Sequence, residues 1–134
     1  MKIIISAFLV MVTFIISSCD VGNDTVVDSP QDTYITNLSF TVDTTYLDSG
    51  SNRLVASGSV KNNGSTKVTS PWYIEGQFYT TQTSNVKLGG SNTQIGVPLS
   101  KGQSTFWTLY FSSSNVDVKN YPNAGVKDLR GIYK

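Results

Sequence analysis

Apolar side chains recur at every second position along most of this chain, from Tyr34 to Tyr133, and turn-forming residues interrupt them at short intervals. Near the start of this region Leu38, Phe40 and Val42 alternate with polar neighbours. A period of two places such side chains on one face of a strand, whereas a helix needs a period of 3.6. After residue 18 no apolar pattern of helical period is long enough to form a helix. The pattern therefore predicts an all-β domain.

The alternation and the turn residues divide this region into about seven strands. We predict strands at Tyr34–Tyr46, Arg53–Lys61, Trp72–Gln82, Val86–Leu88, Thr93–Leu99, Ser104–Ser112 and Val126–Tyr133. Residues 89–91 (Gly-Gly-Ser) are interpreted as a turn between two strands, and residues 62–65 (Asn-Asn-Gly-Ser) as a tight connection. Short strands at even spacing are typical of an immunoglobulin-like β-sandwich of about 100 residues. We expect one such domain at residues 34–134.

The first 18 residues differ in composition from the rest and have the features of an export signal. Lys2 is their only charge, and the apolar run from Ile3 to Ile16 is 14 residues long. A membrane-spanning helix needs about 20 apolar residues, so this run is short for one. A charged start, a short apolar centre and small residues before a cleavage point are typical of a secretory signal. There are two alternatives. The segment could be an uncleaved anchor helix, or it could be an ordinary signal in which the cysteine at position 19 is incidental.

The signal ends at the only cysteine of the chain. The sequence Ile16-Ser17-Ser18-Cys19 resembles the lipobox of bacterial lipoproteins, in which an aliphatic residue and two small residues precede a cysteine. The resemblance implies that the Cys19 thiol receives a diacylglyceryl group, that the signal is cut before it, and that acyl chains hold the protein on a membrane of the bacterial cell envelope. One acyl chain anchors weakly, whereas two or three anchor stably. Because lipidation would occupy the one sulfur atom, we expect no disulfide in the mature chain.

Residues 19–33 are predicted to be a flexible acidic tether, because they contain aspartates, no Lys or Arg and no apolar periodicity. Asp20, directly after the cysteine, resembles an inner-membrane retention signal of some bacterial lineages. The outer membrane is the favoured location and the inner membrane is the alternative. Two short sequences, at residues 24–26 and 43–45, resemble O-glycosylation sites of some Gram-negative bacteria and would place the sugar on Thr25 and Thr44.

The residue types that most enzymes use are scarce in this chain. It has no histidine, which excludes Ser-His, Cys-His and His-metal arrangements. Glu75 is its only glutamate, and no glycine-rich phosphate loop is present. The basic residues are spread singly, so no nucleic-acid footprint is indicated. We therefore expect a protein that is not an enzyme, with no metal site, no cofactor and no nucleic-acid partner.

Aromatic residues are the most functionally suggestive feature of the predicted domain. In the strand at 104–112 the alternation sends one set of side chains into the core: Trp107, Leu109 and Phe111. We expect the opposite set to lie on the outer sheet beside two tyrosines of the strand at 72–82, which defines a candidate binding surface of Tyr73, Tyr79, Phe106 and Tyr110. These rings either cover the sheet or form a platform for a protein partner or a glycan.

Three segments resemble the immunoglobulin-like modules of bacterial lipoproteins of the FxLYD and CARDB type. They are Val60–Gly64 (V-x-N-x-G), the aromatic strand Tyr73–Tyr79, and Leu99–Gln103 (L-x-x-G-Q) followed by Phe106; the resemblance covers about residues 36–134. It implies a non-catalytic binding or spacer module. The favoured hypothesis is a membrane-anchored sandwich that binds a protein or supports an envelope assembly. The alternative is a carbohydrate-binding module that uses the outer aromatics.

Overall fold

The computed structural model describes residues 32–134. The strands in chain order are β1 (Thr33–Ile35), β2 (Leu38–Asp48), β3 (Arg53–Asn62), β4 (Trp72–Tyr79), β5 (Lys87–Ile95), β6 (Ser104–Phe111) and β7 (Gly125–Tyr133), with a short 3-10 helix at Val118–Asn120. The predicted signal, Cys19 with its lipobox, Thr25 and the tether as far as residue 31 lie outside the described residues. β1 begins at Thr33, one residue before the predicted start of the domain.

The seven strands form two antiparallel sheets packed face to face, so the predicted all-β sandwich is confirmed. One sheet has the strand order β1-β7-β4-β5 and the other has the order β2-β3-β6. The β2–β3 hairpin lies in the second sheet and the β4–β5 hairpin lies in the first. β6 then pairs with β3, and β7 pairs with β4. The chain therefore crosses between the sheets three times after β3, which joins the sheets into a single core.

The core between the sheets follows the two-residue period of the sequence. The large inward side chains of β4 are fully buried, as are those of β3 that face them: Trp72, Ile74 and Phe78, with Leu54 and Val60. β6 contributes Trp107, Leu109 and Phe111, and the last ring stacks on Phe78 with 5.5 Å between centroids. Since burial of such side chains contributes roughly 1.5–3 kcal/mol each, this core is the main source of stability.

The predicted strand Tyr34–Tyr46 is wrong as a single element, because the chain changes sheets within it. β1 ends at Ile35 and pairs with β7, whereas β2 begins at Leu38 and pairs with β3. Asn37 lies between them with φ 62°, a left-handed conformation that asparagine tolerates better than most residues. Its carbonyl accepts a hydrogen bond from Asn63 N–H at 2.9 Å. The alternation alone did not reveal this break, because both halves keep a period of two.

The predicted turn at Gly89-Gly90-Ser91 is also wrong, since these residues lie inside β5. Gly89 pairs with Phe78 and Gly90 pairs with Gln77 across the β4–β5 ladder. A Cβ atom on Gly89 would lie only 2.4 Å from the ring of Phe111. Glycine is present here because that ring occupies the space of a side chain, which is one of the recognised uses of glycine in strands.

The predicted tight connection at residues 62–65 is wrong as well. Asn62 is the last residue of β3, and the chain then crosses to the other sheet in a loop that reaches β4 at Trp72. No residue from 62 to 65 has a positive φ. Asn62 is instead a buried anchor of this loop, with 1% of its surface exposed.

The two tryptophans of the core differ in the partner of the indole N–H, and this difference predicts different costs of substitution. Trp72 Nε1 donates to the Val97 carbonyl at 2.9 Å, whereas Trp107 Nε1 is buried and has no hydrogen-bond partner within residues 32–134. Both Trp→Phe changes remove the same volume. Only Trp72→Phe also removes a hydrogen bond, while Trp107→Phe relieves an unsatisfied donor.

We therefore expect Trp72→Phe to lower the free energy of unfolding by about 1–3 kcal/mol more than Trp107→Phe, as measured by urea unfolding. Each variant serves as the volume-matched control for the other. A larger loss in Trp107→Phe would contradict the assignment of the two indole groups.

Candidate binding surfaces

The outward side chains of β6 include the most exposed large aromatic of the described domain. Phe106 is 81% exposed and Tyr110 is 51% exposed, whereas Trp107 and Leu109 are buried. These are the two faces that the alternation predicted for this strand. Because contiguous exposed apolar surface marks interaction sites, this pair of outward rings is a candidate part of one.

The structure does not bring Tyr73 and Tyr79 together with Phe106 and Tyr110. β4 lies in the four-stranded sheet and β6 lies in the three-stranded sheet, so their outward faces are on opposite sides of the sandwich. The expectation of one shared aromatic surface is therefore wrong. It failed because a period of two assigns a residue to a face of its own strand but contains nothing about which sheet the strand joins.

Tyr79 is also largely covered, with 8% of its surface exposed. Lys127 Nζ lies 4.1 Å from the centre of its ring. The hydroxyl of Tyr79 donates a hydrogen bond to the Asp128 carboxylate, and this hydrogen bond, together with burial, raises the pKa of Tyr79 above its ordinary value. The ring is part of a structural contact and has no open face for a ligand.

The outer face of the four-stranded sheet is covered by paired charges and rings. Arg130 donates to Glu75 at 2.9 Å and to the Tyr34 hydroxyl at 3.1 Å. Its guanidinium lies 4.8 Å from the centre of the Tyr34 ring, and Lys134 Nζ lies 5.0 Å from the centre of the Tyr73 ring. The hydrogen bond to Glu75 raises the pKa of Arg130. A cation therefore lies over one face of each of these two rings.

The outer face of the three-stranded sheet carries a smaller cluster near the β2–β3 hairpin. Arg53 lies 4.3 Å from the centre of the Tyr110 ring and forms a 3.1 Å ion pair with Asp48. Hydrogen bonds from Ser51, assisted by Arg53, lower the pKa of Asp48. Val55 lies between Tyr46 and Tyr110 in the register of the sheet and is 3% exposed. The cluster therefore covers an apolar residue on the outside of the sheet.

Hydroxyl groups occupy the remainder of this face. Thr41 and Ser59 share a hydrogen bond of 2.7 Å, and Thr44 and Ser57 share one of 2.9 Å across β2 and β3. Thr44, one of the two predicted glycosylation sites, is exposed, but its hydroxyl is held in this cross-strand pair. This part of the face is polar, and Phe106 of β6 pairs with Ser59 beside it.

β6 is an open edge, and the direction of its backbone groups follows from two hydrogen bonds. Asn62 N–H donates to the Gln103 carbonyl at 3.0 Å. In the β3–β6 register, the N–H and C=O groups of the odd-numbered residues of β6 therefore point towards β3. Ser91 Oγ donates to the Tyr110 carbonyl at 2.6 Å from the opposite side. Because N–H and C=O groups alternate between the two edges of a strand, those of Phe106 and Thr108 point away from β3. No backbone group within residues 32–134 bonds them.

A shallow groove of about 330 Å³ lies along this edge, between β6 and the open edge of β5. Its lining combines backbone and side chains from both strands: Thr93, Gln94 and Ile95 with Phe106, Trp107, Thr108 and Tyr110. The groove thus joins unpaired donors and acceptors with an exposed aromatic ring. An edge of this kind is the template on which a further strand can be added.

A second cleft of about 250 Å³ opens where the chain enters the domain. It lies between β1 and the β3–β4 loop, with Thr36, Asn37, Ser65 and Thr66 in its wall and Lys67 beside them. The lining is about equally polar and apolar, since Ile35 and Val68 also contribute, and it contains no carboxylate. Its hydroxyl and amide groups can hydrogen-bond a polar or anionic group.

Within residues 32–134 no helix is long and apolar enough to span a membrane, and no three His, Cys, Asp or Glu side chains converge as a metal site would require. No family model, curated protein or solved structure matches this chain.

Sequence reasoning identified Phe106 as an outward aromatic but missed the groove beside it. The groove depends on the approach of β5 to β6, and the two strands are edges of different sheets. The dense aromatic pattern of residues 106–111 was the one available signal. No sequence pattern indicated the cleft near Lys67. It is formed by a loop and by the short strand β1, which the alternation did not separate from β2.

Proposed function

We propose that this protein is a lipid-anchored component of the bacterial cell envelope, in the outer membrane rather than the inner, whose β-sandwich binds a protein partner and catalyses no reaction. The observation that carries the binding proposal is the open edge of β6. Phe106 and Thr108 direct unpaired backbone groups into a groove, and the exposed Phe106 ring lies at its margin. We infer that an extended segment of the partner adds to this edge as a further strand.

Strand addition explains the combination of features better than a small ligand does. Main-chain hydrogen bonds would give affinity to any extended segment, and the Phe106 ring would select an apolar side chain of that segment. The groove is open and shallow, whereas small-molecule sites are concave and bury most of the ligand. A natural edge is usually protected by charge, proline or a covering loop, and β6 has neither charge nor proline.

The anchor in this proposal depends on the lipobox-like sequence Ile16-Ser17-Ser18-Cys19. We expect Cys19→Ala to abolish incorporation of labelled fatty acid and to release the protein from the membrane fraction. The control is Ser17→Ala, which keeps a small residue before the cysteine and should be lipidated normally. Lipidation of the Cys19→Ala variant, or its retention on membranes with a signal-cleaved mass, would refute the anchor.

The edge is tested by Thr108→Pro in the full lipoprotein. Proline removes the N–H that points to the groove but none of the hydrogen bonds to β3, so the fold should tolerate it. With a photo-crosslinking residue in place of Thr93 across the groove, we expect a discrete protein adduct in cells. We expect that adduct to decrease by at least about tenfold in Thr108→Pro and in Phe106→Ala.

Ser104→Pro is the matched control for the edge experiment. Ser104 has the same backbone direction as Thr108 but lies outside the groove. We expect the adduct to persist in this variant. Equal adduct yields in Thr108→Pro and in Ser104→Pro would contradict strand addition, and the absence of any adduct would contradict protein binding at this groove.

Carbohydrate binding is the second candidate, and one observation favours it. Phe106 and Tyr110 share the outer face of β6 next to the row of hydroxyl pairs, which is a polar and aromatic surface of the type that stacks on sugar rings. Glycan-array binding that disappears in Phe106→Ala, but persists in Tyr73→Ala and Tyr79→Ala, would support it. Loss in the Tyr73 and Tyr79 variants alone would assign the sugar to the other sheet.

A further inference from the structure

The chain enters the sandwich at one end, which is defined by the pairing of the strands. Thr33 at the start of β1 pairs with Tyr133, Trp72 pairs with Ile95, and Lys61 pairs with Ser104. The β3–β4 loop and the β5–β6 loop therefore lie at the same end as the entry of the chain, and Val68 and Leu99 bridge the two loops. We call this group of residues the entry end: 33–37, 61–71, 96–104 and 133–134.

The entry end carries more lysines than carboxylates, with Asp32 directly before it. Lys61, Lys67, Lys101 and Lys134 are exposed there, and residues 61–74 and 95–105 contain no aspartate or glutamate. Within residues 32–134, Lys61, Lys67 and Lys101 form no ion pair. Lys134 lies 3.9 Å from Glu75, whose other oxygen pairs with Arg130.

The opposite end of the sandwich has no such excess. It contains four basic residues and three carboxylates: Arg53, Lys87, Lys119 and Lys127, with Asp48, Asp117 and Asp128. Arg53 is paired with Asp48. Lys87, Lys119 and Lys127 also form no ion pair within residues 32–134, so the two ends differ in net charge. The larger excess of basic over acidic residues lies at the end where the tether begins.

Two other features of the entry end fit a lipid surface. The cleft beside Lys67 has hydroxyl and amide groups among its apolar lining residues, and these groups can accept hydrogen bonds from a headgroup or donate them to it. Val97 in the β5–β6 loop is 51% exposed, and Pro98 beside it is exposed. Segments that rest on a bilayer interface combine basic residues with exposed apolar side chains.

We propose that the entry end docks on an anionic lipid headgroup surface. The proposal rests on the proposed lipid anchor for its orientation, because the anchored tether brings this end to the membrane first. Docking in this orientation leaves the groove along β6 at the side of the sandwich, where a partner can reach it. A basic residue near an anionic surface strengthens binding by about fivefold, so three or four lysines that act together bind appreciably.

The test uses the chain from residue 19 with Cys19→Ser, so that no lipid contributes; residues 32–134 of this chain form a closed sandwich with its own core. The probe is vesicles of 70% phosphatidylcholine and 30% phosphatidylglycerol, with pure phosphatidylcholine vesicles as reference. We expect flotation with the anionic vesicles in 50 mM salt, and loss of binding in 500 mM salt or with the neutral vesicles.

The decisive variant is the double substitution Lys67→Gln and Lys101→Gln, which should lower the partition coefficient by at least about tenfold. The matched control is Lys87→Gln with Lys119→Gln, which removes the same charge from the opposite end and should change the partition coefficient by less than about twofold. Equal losses in the two double variants, or no binding of the parent chain, would overturn the proposal. So would displacement by 10 mM inorganic phosphate at constant ionic strength, which would indicate a phosphate site rather than a surface.

This experiment separates the docking from the anchor. Vesicle binding by the unlipidated chain, combined with failure of the Cys19→Ala test, would support the basic surface and refute lipidation. Lipidation without vesicle binding would support the anchor and overturn the docking.

Discussion

Asn62→Asp is expected to lower the free energy of unfolding by about 3–5 kcal/mol at pH 7. Asn62 Nδ2 donates to the carbonyls of Thr66 at 2.8 Å and Leu99 at 2.9 Å, and Oδ1 accepts from Gly64 N–H at 2.9 Å. Aspartate cannot donate to the two carbonyls, and its charge would be buried against them. The result would be loss of the contact that fixes both loops of the entry end.

The pH dependence of this variant follows from the same contacts. Burial beside two carbonyl oxygens would raise the pKa of the new carboxyl in the folded protein above its unfolded value. A raised pKa makes the folded state bind the proton more tightly, so the deficit should be smaller at pH 4 than at pH 7. Urea unfolding at both pH values measures this change.

The control is Asn63→Asp, one residue further along the chain. Asn63 is exposed and its Nδ2 makes a single hydrogen bond, to Ser39 Oγ at 2.8 Å. We expect a loss of less than about 1.5 kcal/mol from this substitution. Equal losses at the two positions would show that Asn62 is not the buried anchor of the loops.

Gly58→Ala is expected to be the most damaging small-to-large change in the domain. A Cβ atom on Gly58 would lie 1.9 Å from the Thr41 carbonyl oxygen and 2.8 Å from the Trp107 ring. The first contact is with backbone, so the β2–β3 ladder would have to move next to its own bulge between Val42 and Thr44. We expect a loss of about 3 kcal/mol or more, or failure to fold, because overpacking forces strands apart.

Gly96→Ala is the matched control, since a Cβ atom at Gly96 meets nothing within 4 Å. We expect its stability to lie within about 0.5 kcal/mol of the parent, in line with exposed sites away from special contacts. Thermal unfolding followed by circular dichroism compares the two variants. A Gly58→Ala protein with an unchanged melting temperature would contradict the close approach of β2 to β3.

Much of the fold was predictable from local pattern, and the particular failures have one cause. The boundaries of β3 and β6 were correct to within one residue, because alternation and flanking turn residues are local properties. The division of β1 from β2 was missed because the change of sheet leaves the period unchanged. β5 was predicted as two strands because Gly89 is typical of a turn. The structure shows that this glycine leaves room for the ring of Phe111 instead.

The candidate site was predicted only in its individual side chains. Phe106 and Tyr110 were correctly assigned to the outer face of their strand, but Tyr73 and Tyr79 were wrongly grouped with them. Asn62 was interpreted as a turn residue, since the sequence contains no sign that its side chain bonds the Leu99 carbonyl 37 positions away.

The sequence by itself determined the β class of this protein, the faces of its strands and the scarcity of catalytic side chains. The direction of a side chain along a strand depends only on its neighbours in the chain, which is why the alternation was sufficient for these conclusions. The tertiary structure alone decided which strands share a sheet, which edge stays open and which end has the larger excess of lysine over carboxylate. Those features depend on hydrogen bonds and packing between residues far apart in the sequence, and no local pattern specifies them.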